Sequence, residues 1–231
     1  MKNFILLLLF TFILPIHAQL SDFEKLNFDK AEYIANKYKG ENLYNLPKLT
    51  YNLTSSLNTE VERFRAIYYW VCNNISGEYN LINKNERAIK KFKNNPKALG
   101  LWNNKFKKEL FTILLKKKET ICIGYAYLIK ELSNLAGLEC EIIYGYDQLN
   151  SIKNKNIDAP NHSWNAIKLN GKWYLCDATW SSGFLDLSTF LFEFEFDNSY
   201  FLMDPLEFIK SHKPVNEQWT LLVQNYESKS N

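Results

Sequence analysis

Asn170-Gly171, set between two runs rich in Trp, Ile, Leu and Tyr, constrains this chain more than any other pair of residues. Asn-Gly favours positive φ at both central positions of a two-residue turn, and that turn matches the twist of two antiparallel strands. Residues 163–169 and 172–178 are therefore predicted to pair as a hairpin. In that register Leu169 lies opposite Lys172, Ile167 opposite Tyr174 and Trp164 opposite Asp177. His162 stands two residues before Trp164, so its side chain shares Trp164's face. His162 and Asp177 become diagonal neighbours, with Cβ atoms roughly 7 Å apart or somewhat less. A four-residue turn with the same centre keeps this register, whereas a slip of one residue puts the two side chains on opposite faces.

An imidazole and a carboxylate at that distance can share a hydrogen bond that fixes the ring's tautomer and stabilises its charged form. A surface ion pair would look the same at this level. The flanking Trp164, Trp173, Leu175 and Trp180 argue instead for a partly buried pair, where a charge needs a partner or a purpose. Cys122 offers a nucleophile. Thr120 as N-cap puts Cys122 at the second residue of a helix closed by Gly137. Free N–H groups and the helix dipole favour a thiolate there. A buried core cysteine at a helix start fits the position equally well, and no spacing brings Cys122 to His162.

The rest of the chain reads as helices first and strands after, an α+β order. Ser21-Asp22-Phe23-Glu24 matches a capping box for a helix to about Tyr38. Residues 44–56, with Pro47, are predicted to be turn-like. Thr59 opens the next helix, and Val61, Phe64, Tyr68 and Val71 mark its buried stripe. Residues 75–85 are predicted to be a loop, followed by helices over 86–93 and 104–117. Residues 139–146 and 190–196 are expected strands. Residues 147–161 lead into His162 as a rim, a lid or a plain surface loop. Glu193, Glu195 and Asp197 alternate with Phe and read as a solvated strand face.

Residues 1–18 have the layout of a secretory leader: Lys2, an apolar run from Phe4, and Ala18 at the cleavage point. The expected layout is a leader (1–18), an N-terminal helical extension (19–58) and a main domain (59–231). The expected location is the periplasm or the medium, with no stable membrane insertion after cleavage. The chain holds 28 Lys and Arg against 25 Asp and Glu. Lys2 leaves with the leader. That near balance, with no basic stripe, excludes a nucleic-acid partner. Four cysteines (72, 122, 140 and 176) show neither a CxxC pair nor a Cys/His metal cluster. No metal or cofactor is expected, and most of the remaining thiols are expected to be buried as small apolar residues.

Cys122-Ile-Gly-Tyr-Ala126, then His162-Ser-Trp-Asn165, then Trp173-Tyr-Leu-Cys-Asp177-Ala-Thr-Trp180 together resemble the transglutaminase-like superfamily, related to papain. The pattern is closest to its kyphoscoliosis-peptidase-like branch. Tyr69-Trp-Val-Cys-Asn-Asn-Ile75, Tyr200-Phe-Leu-Met-Asp-Pro205 and Ser211-His212-Lys-Pro214 also resemble that branch. His212, in Ser-His-Lys-Pro, resembles a structural position of the family. The resemblance spans about residues 60–222. It implies Cys122 as nucleophile, His162 as base and then acid, and Asp177 as the orienting group. The activity implied is acyl transfer on protein or peptide amides, as protease or transglutaminase. Trp164 and Trp180 are the candidate substrate-binding residues. Thr120, where the family usually has Gly, and Ser76-Gly-Glu-Tyr-Asn80 depart from the pattern. Tyr79 and Asn80 are weighed as a second oxyanion donor. The alternative is a catalytically silent binding or scaffold module on the same fold.

Overall fold

The computed structural model describes residues 20–23, 26–151 and 159–222. The expected leader lies outside the described residues. In chain order the elements are α1 (Asp29–Lys37), α2 (Leu46–Thr54), α3 (Glu60–Asn74), β1 (Ser76–Gly77), α4 (Tyr79–Phe92), α5 (Pro96–Lys117), β2 (Glu119–Thr120) and α6 (Cys122–Leu135). Then follow β3 (Cys140–Asp147), α7 (Gln148–Ser151), β4 (His162–Leu169), β5 (Lys172–Cys176), α8 (Ala178–Ser182), β6 (Gly183–Asp186), β7 (Leu191–Phe194), α9 (Pro205–Phe208) and β8 (His212–Pro214). The fold is α+β. An antiparallel sheet in the order β5-β4-β3-β8 has α2, α3 and α6 over one face and α9 over the other. No helix among the described residues is long and apolar enough to cross a membrane.

The hairpin forms in the predicted register, with Leu169 opposite Lys172 and Ile167 opposite Tyr174. Asn170 and Gly171 both take positive φ, 51° and 82°. The second strand stops at Cys176, and Asp177 is the N-cap of α8, so the predicted strand to residue 178 ends early. Because side chains alternate along β4, the strand feeds two cores. Ile167 and Leu169 join Leu53, Phe64, Ile67, Trp70 and Leu132 beneath α2, α3 and α6. Trp164 and Ala166 turn the other way, onto Ile143, Leu175, Phe208 and Leu221. A strand buried on both faces tolerates no slip, since each apolar side chain would cross to the other core.

Several helix boundaries differ from those expected. α1 begins at Asp29, after a short 3-10 turn at Leu20–Phe23; Glu24 of the supposed capping box lies outside the described residues. Residues 44–56 hold α2. Asn45 caps it through Lys48 N, and Pro47 sits in the first turn, where its missing N–H costs nothing. Residues 75–85 include β1 and the start of α4, which Glu78 caps. α5 starts at Pro96, eight residues before the expected boundary at 104, for the reason given for Pro47. α3 starts where expected, with both arms of its capping box made by Thr59 and Glu62. α4 and α5 enclose a third, smaller core of Leu81, Phe106, Leu110 and Ile121.

Candidate active site

Cys122 is the first residue of α6, one position earlier in the helix than Thr120 as N-cap implied. Ile121 is the cap, and it offers no side-chain acceptor. Gly124 N–H donates to the Ile121 carbonyl at 2.8 Å, so the N–H groups of Cys122 and Ile123 are the ones nearest the helix mouth. Thr120 belongs to β2 and pairs across to Gly77. Its side chain is fully buried and packs under Gly124, where an added Cβ would lie 1.8 Å from Thr120 Oγ1. The departure from the family glycine therefore faces the interior and does not line the cleft.

His162 opens β4, and its Nε2 lies 2.7 Å from Asp177 Oδ2. The diagonal contact expected from the hairpin is present. Cys122 lies on the cleft side of the ring, close enough for its sulfur to favour a charged imidazole. With Nε2 engaged by Asp177, Nδ1 is the nitrogen left for the sulfur. Nucleophile candidate, imidazole and carboxylate thus run in a line from the helix mouth to the end of the hairpin. Burial works against a charged imidazole here, but the Asp177 carboxylate overrides it and the Cys122 contact adds to that. His162 is pushed up to about 10. Burial likewise works against an ionised Asp177, yet the two imidazoles bonded to it hold the carboxyl well below the usual range.

The second imidazole is His212, on β8 at the sheet edge opposite Asp147. Its Nε2 lies 3.0 Å from the same Oδ2. The other oxygen, Oδ1, accepts from the backbone N–H of Thr179 at 2.8 Å and Trp180 at 3.3 Å. Four donors therefore surround one carboxylate. Reading His212 as merely structural missed this, and its distance from Asp177 along the chain offered no spacing from which to find it. His162, Asp177 and His212 are the one group of metal-type ligands among the described residues, with ligand atoms within 4.8 Å. Those atoms are spent on hydrogen bonds to one another, and a cation would have to break them.

Trp164 and Trp180 do not line the cleft. Trp164 is 1% exposed and packs its ring against His162 at 5.8 Å and His212 at 5.0 Å. Trp180 stacks on His162 at 5.4 Å and lies 4.4 Å from His212. Both rings pack against the two imidazoles. The Tyr79 ring packs on Phe190, the Asn80 amide bonds Glu78, and neither residue is among those that line the cleft around Cys122. Glu193 and Glu195 are exposed, and Asp197 caps a short 3-10 turn.

Cys122 and His162 open onto a cleft of about 240 Å³. Its far wall is the α4–α5 hairpin, through Asn85, Asn103, Asn104 and Lys107. The near wall carries Tyr144, Pro160 and Asn161. Of the rim segment 147–161, residues 152–158 lie outside the described residues. The other three cysteines are buried and all four are free thiols. Burial pushes Cys140 up to about 12 and raises Cys72 and Cys176 as well.

A buried carboxylate–imidazole pair thus stands beside a helix-start cysteine in an α+β fold. The model of the transglutaminase-like superfamily matches residues 47–178, and the chain belongs to that superfamily. It is 33% identical over 208 residues to the kyphoscoliosis peptidase of Homo sapiens, covering 88% of this chain and 27% of that protein. With the Mus musculus kyphoscoliosis peptidase it shares 33% identity over 182 residues, covering 77% of this chain and 24% of that one. The chain thus spans about a quarter of the length of these curated relatives. A solved structure described as a TGase aligns with a TM-score of 0.39 and 16% identity, covering 66% of this chain and 32% of that one.

Proposed function

We propose that the chain is an exported cysteine-dependent acyl-transfer enzyme acting on protein or peptide amides through Cys122, His162 and Asp177. The observation that carries this reading is the line Cys122–His162–Asp177, closed at 2.7 Å on the carboxylate side and open to the cleft on the sulfur side. The attacking species in this reading is the Cys122 thiolate, with protonated His162 beside it. The sulfur attacks the amide carbonyl and a C–S bond forms. The oxyanion turns toward the uncapped N–H groups at the start of α6. The C–N bond then breaks, and His162 gives its Nδ1 proton to the leaving amine. His162 then takes a proton from water or an amine as its O or N bonds the carbonyl carbon, the C–S bond breaks and Cys122 returns as thiolate, giving hydrolysis or transamidation. Asp177 keeps the ring in one tautomer through both steps. Export rests on the leader-like residues 1–18.

The test is chemical. Iodoacetamide near pH 6 should alkylate Cys122 and leave the three buried thiols untouched; mass spectrometry of the peptides reads the ratio. Cys122→Ser should abolish both casein cleavage and incorporation of a fluorescent amine into casein, and whichever activity the parent shows separates peptidase from crosslinker. Labelling of Cys72, Cys140 or Cys176 at the same rate would refute the primed nucleophile. Selective labelling without either activity would favour the silent binding module.

A further inference from the structure

The geometry points to His212 as a positioning residue: a neutral imidazole, locked by Ser211 as an Nε2–H donor, that shares Asp177 Oδ2 with His162 and limits how tightly the carboxylate holds the His162 proton. It rests on the triad reading above and adds to it a residue that does not touch substrate.

The tautomer follows from the partners. Asp177 is ionised and can only accept, so the His212 nitrogen facing it at 3.0 Å must carry a hydrogen. His212 Nδ1 lies 2.7 Å from Ser211 Oγ, whereas that hydroxyl is 3.3 Å from the Phe208 carbonyl. The shorter contact takes the hydroxyl hydrogen, and Nδ1 accepts it. A second proton on the ring would turn the hydroxyl hydrogen onto the more distant Phe208 carbonyl and place another charge beside imidazolium His162. Burial adds to this, and His212 is held below the ordinary histidine range. Phe208 stacks on the ring at 4.0 Å, and Trp180 and Trp164 close its other sides. His212 is wholly buried, so water cannot stand in for it.

Two donors on one oxygen compete. Each draws electron density from the carboxylate, and each weakens the other's bond. Without His212, Asp177 would concentrate on His162 and hold the imidazolium more strongly. The acid that protonates the leaving amine would then be weaker. The other titratable groups facing His212 are His162 from β4, Asp177 from the start of α8, Asp147 across the sheet and Tyr200, whose ring centroid is 6.3 Å away. Those facing His162 are Cys122, Asp177 and His212. Of these, Asp177 alone bonds both rings.

The chain contains three histidines, so ring NMR of the full protein labelled with ¹⁵N-histidine is readily assigned, His17 by a His17→Gln variant. His212 should keep a protonated Nε2 and an unprotonated Nδ1 at every pH from about 5 to about 9. In His212→Leu the His162 midpoint should move up by about one pH unit, the order of one charge-assisted hydrogen bond. His212→Gln, which restores an N–H donor, should leave it within about 0.3 unit of the parent. Ser211→Ala frees the tautomer with little loss of volume and should move it up by a smaller step, which keeps the test decisive if His212→Leu does not fold. An unchanged or lowered midpoint in His212→Leu or Ser211→Ala, or a shift in His212→Gln as large as in the leucine variant, overturns the assignment. No substrate is needed. A failure here leaves acyl transfer standing, and failure to turn over amides leaves the role of His212 standing.

Discussion

Asp177→Asn removes one charge and keeps a competent N-cap for α8, because Asn caps helices about as well as Asp. What changes is the Oδ2 side, where His162 and His212 both donate at 2.7 and 3.0 Å. The amide must then present either its NH₂ to two N–H groups or its oxygen to them and its NH₂ to Thr179 and Trp180. In the parent, His162 is raised from 6.5 to about 10. At roughly 1.4 kcal/mol per unit, the imidazolium's anchoring amounts to about 3–5 kcal/mol, the usual cost of stripping one partner from a buried pair. Because His162 titrates higher in the folded chain, this stabilisation is complete below the unfolded value and fades as pH rises through about 10. Asp177 titrates lower in the folded chain than 3.8, so its share is present above that value and is lost as pH falls below it. Both contributions are whole between about pH 4 and about pH 6.5. Urea unfolding should therefore show Asp177→Asn destabilised by about 3–5 kcal/mol near pH 6 and by about 1–2 kcal/mol near pH 10.5, where a neutral His162 can accept from the amide. Equal costs at the two pH values would refute the argument, since they would mean the pair is not charged in the folded protein.

Gly124→Ala should destabilise the chain by roughly 1–3 kcal/mol, because the new methyl meets Thr120 Oγ1 at 1.8 Å in a fully buried spot. Adding Thr120→Gly should recover most of the lost thermal stability, and failure to recover it would remove the contact as the cause. Lys107 lines the cleft, and no carboxylate does among its described residues. Iodoacetate should therefore alkylate Cys122 faster relative to iodoacetamide than it alkylates a free thiol. Lys107→Glu should lower that ratio a few-fold at low salt and much less at high salt. A ratio indifferent to both salt and the substitution would show that the rim charge does not reach the sulfur.

The hairpin was legible before any coordinates because its information is local. Asn170-Gly171 sets the turn, the turn sets the register, and a period of two carries His162 and Asp177 to one face. The capping box of Thr59 and Glu62 was legible for the same reason. α2 and the start of α5 escape such reading because proline looks like a breaker, whereas the Asn45 and Asn95 side chains cap these helices, accepting from Lys48 N and Ala98 N, and put each proline in a first turn. The helix around Cys122 was placed one residue out. Ile121 is an unlikely cap by propensity, and only the pairing of β1 with β2, which takes up Thr120, decides where α6 begins.

Sequence alone determined the α+β class, the antiparallel hairpin and the proximity of one imidazole to one carboxylate. Tertiary structure decided the rest of the site. It brought a sulfur from a helix 40 residues upstream to the His162 ring. It delivered His212 from the last strand of the sheet to the same oxygen, and it buried Trp164 and Trp180 around both rings. The physical reason is the range of the forces. Turn chemistry and strand alternation act over a few residues and leave a periodic trace. The approach of α6 and β8 to Asp177 is set by packing two cores on opposite faces of one sheet, and no residue spacing records it.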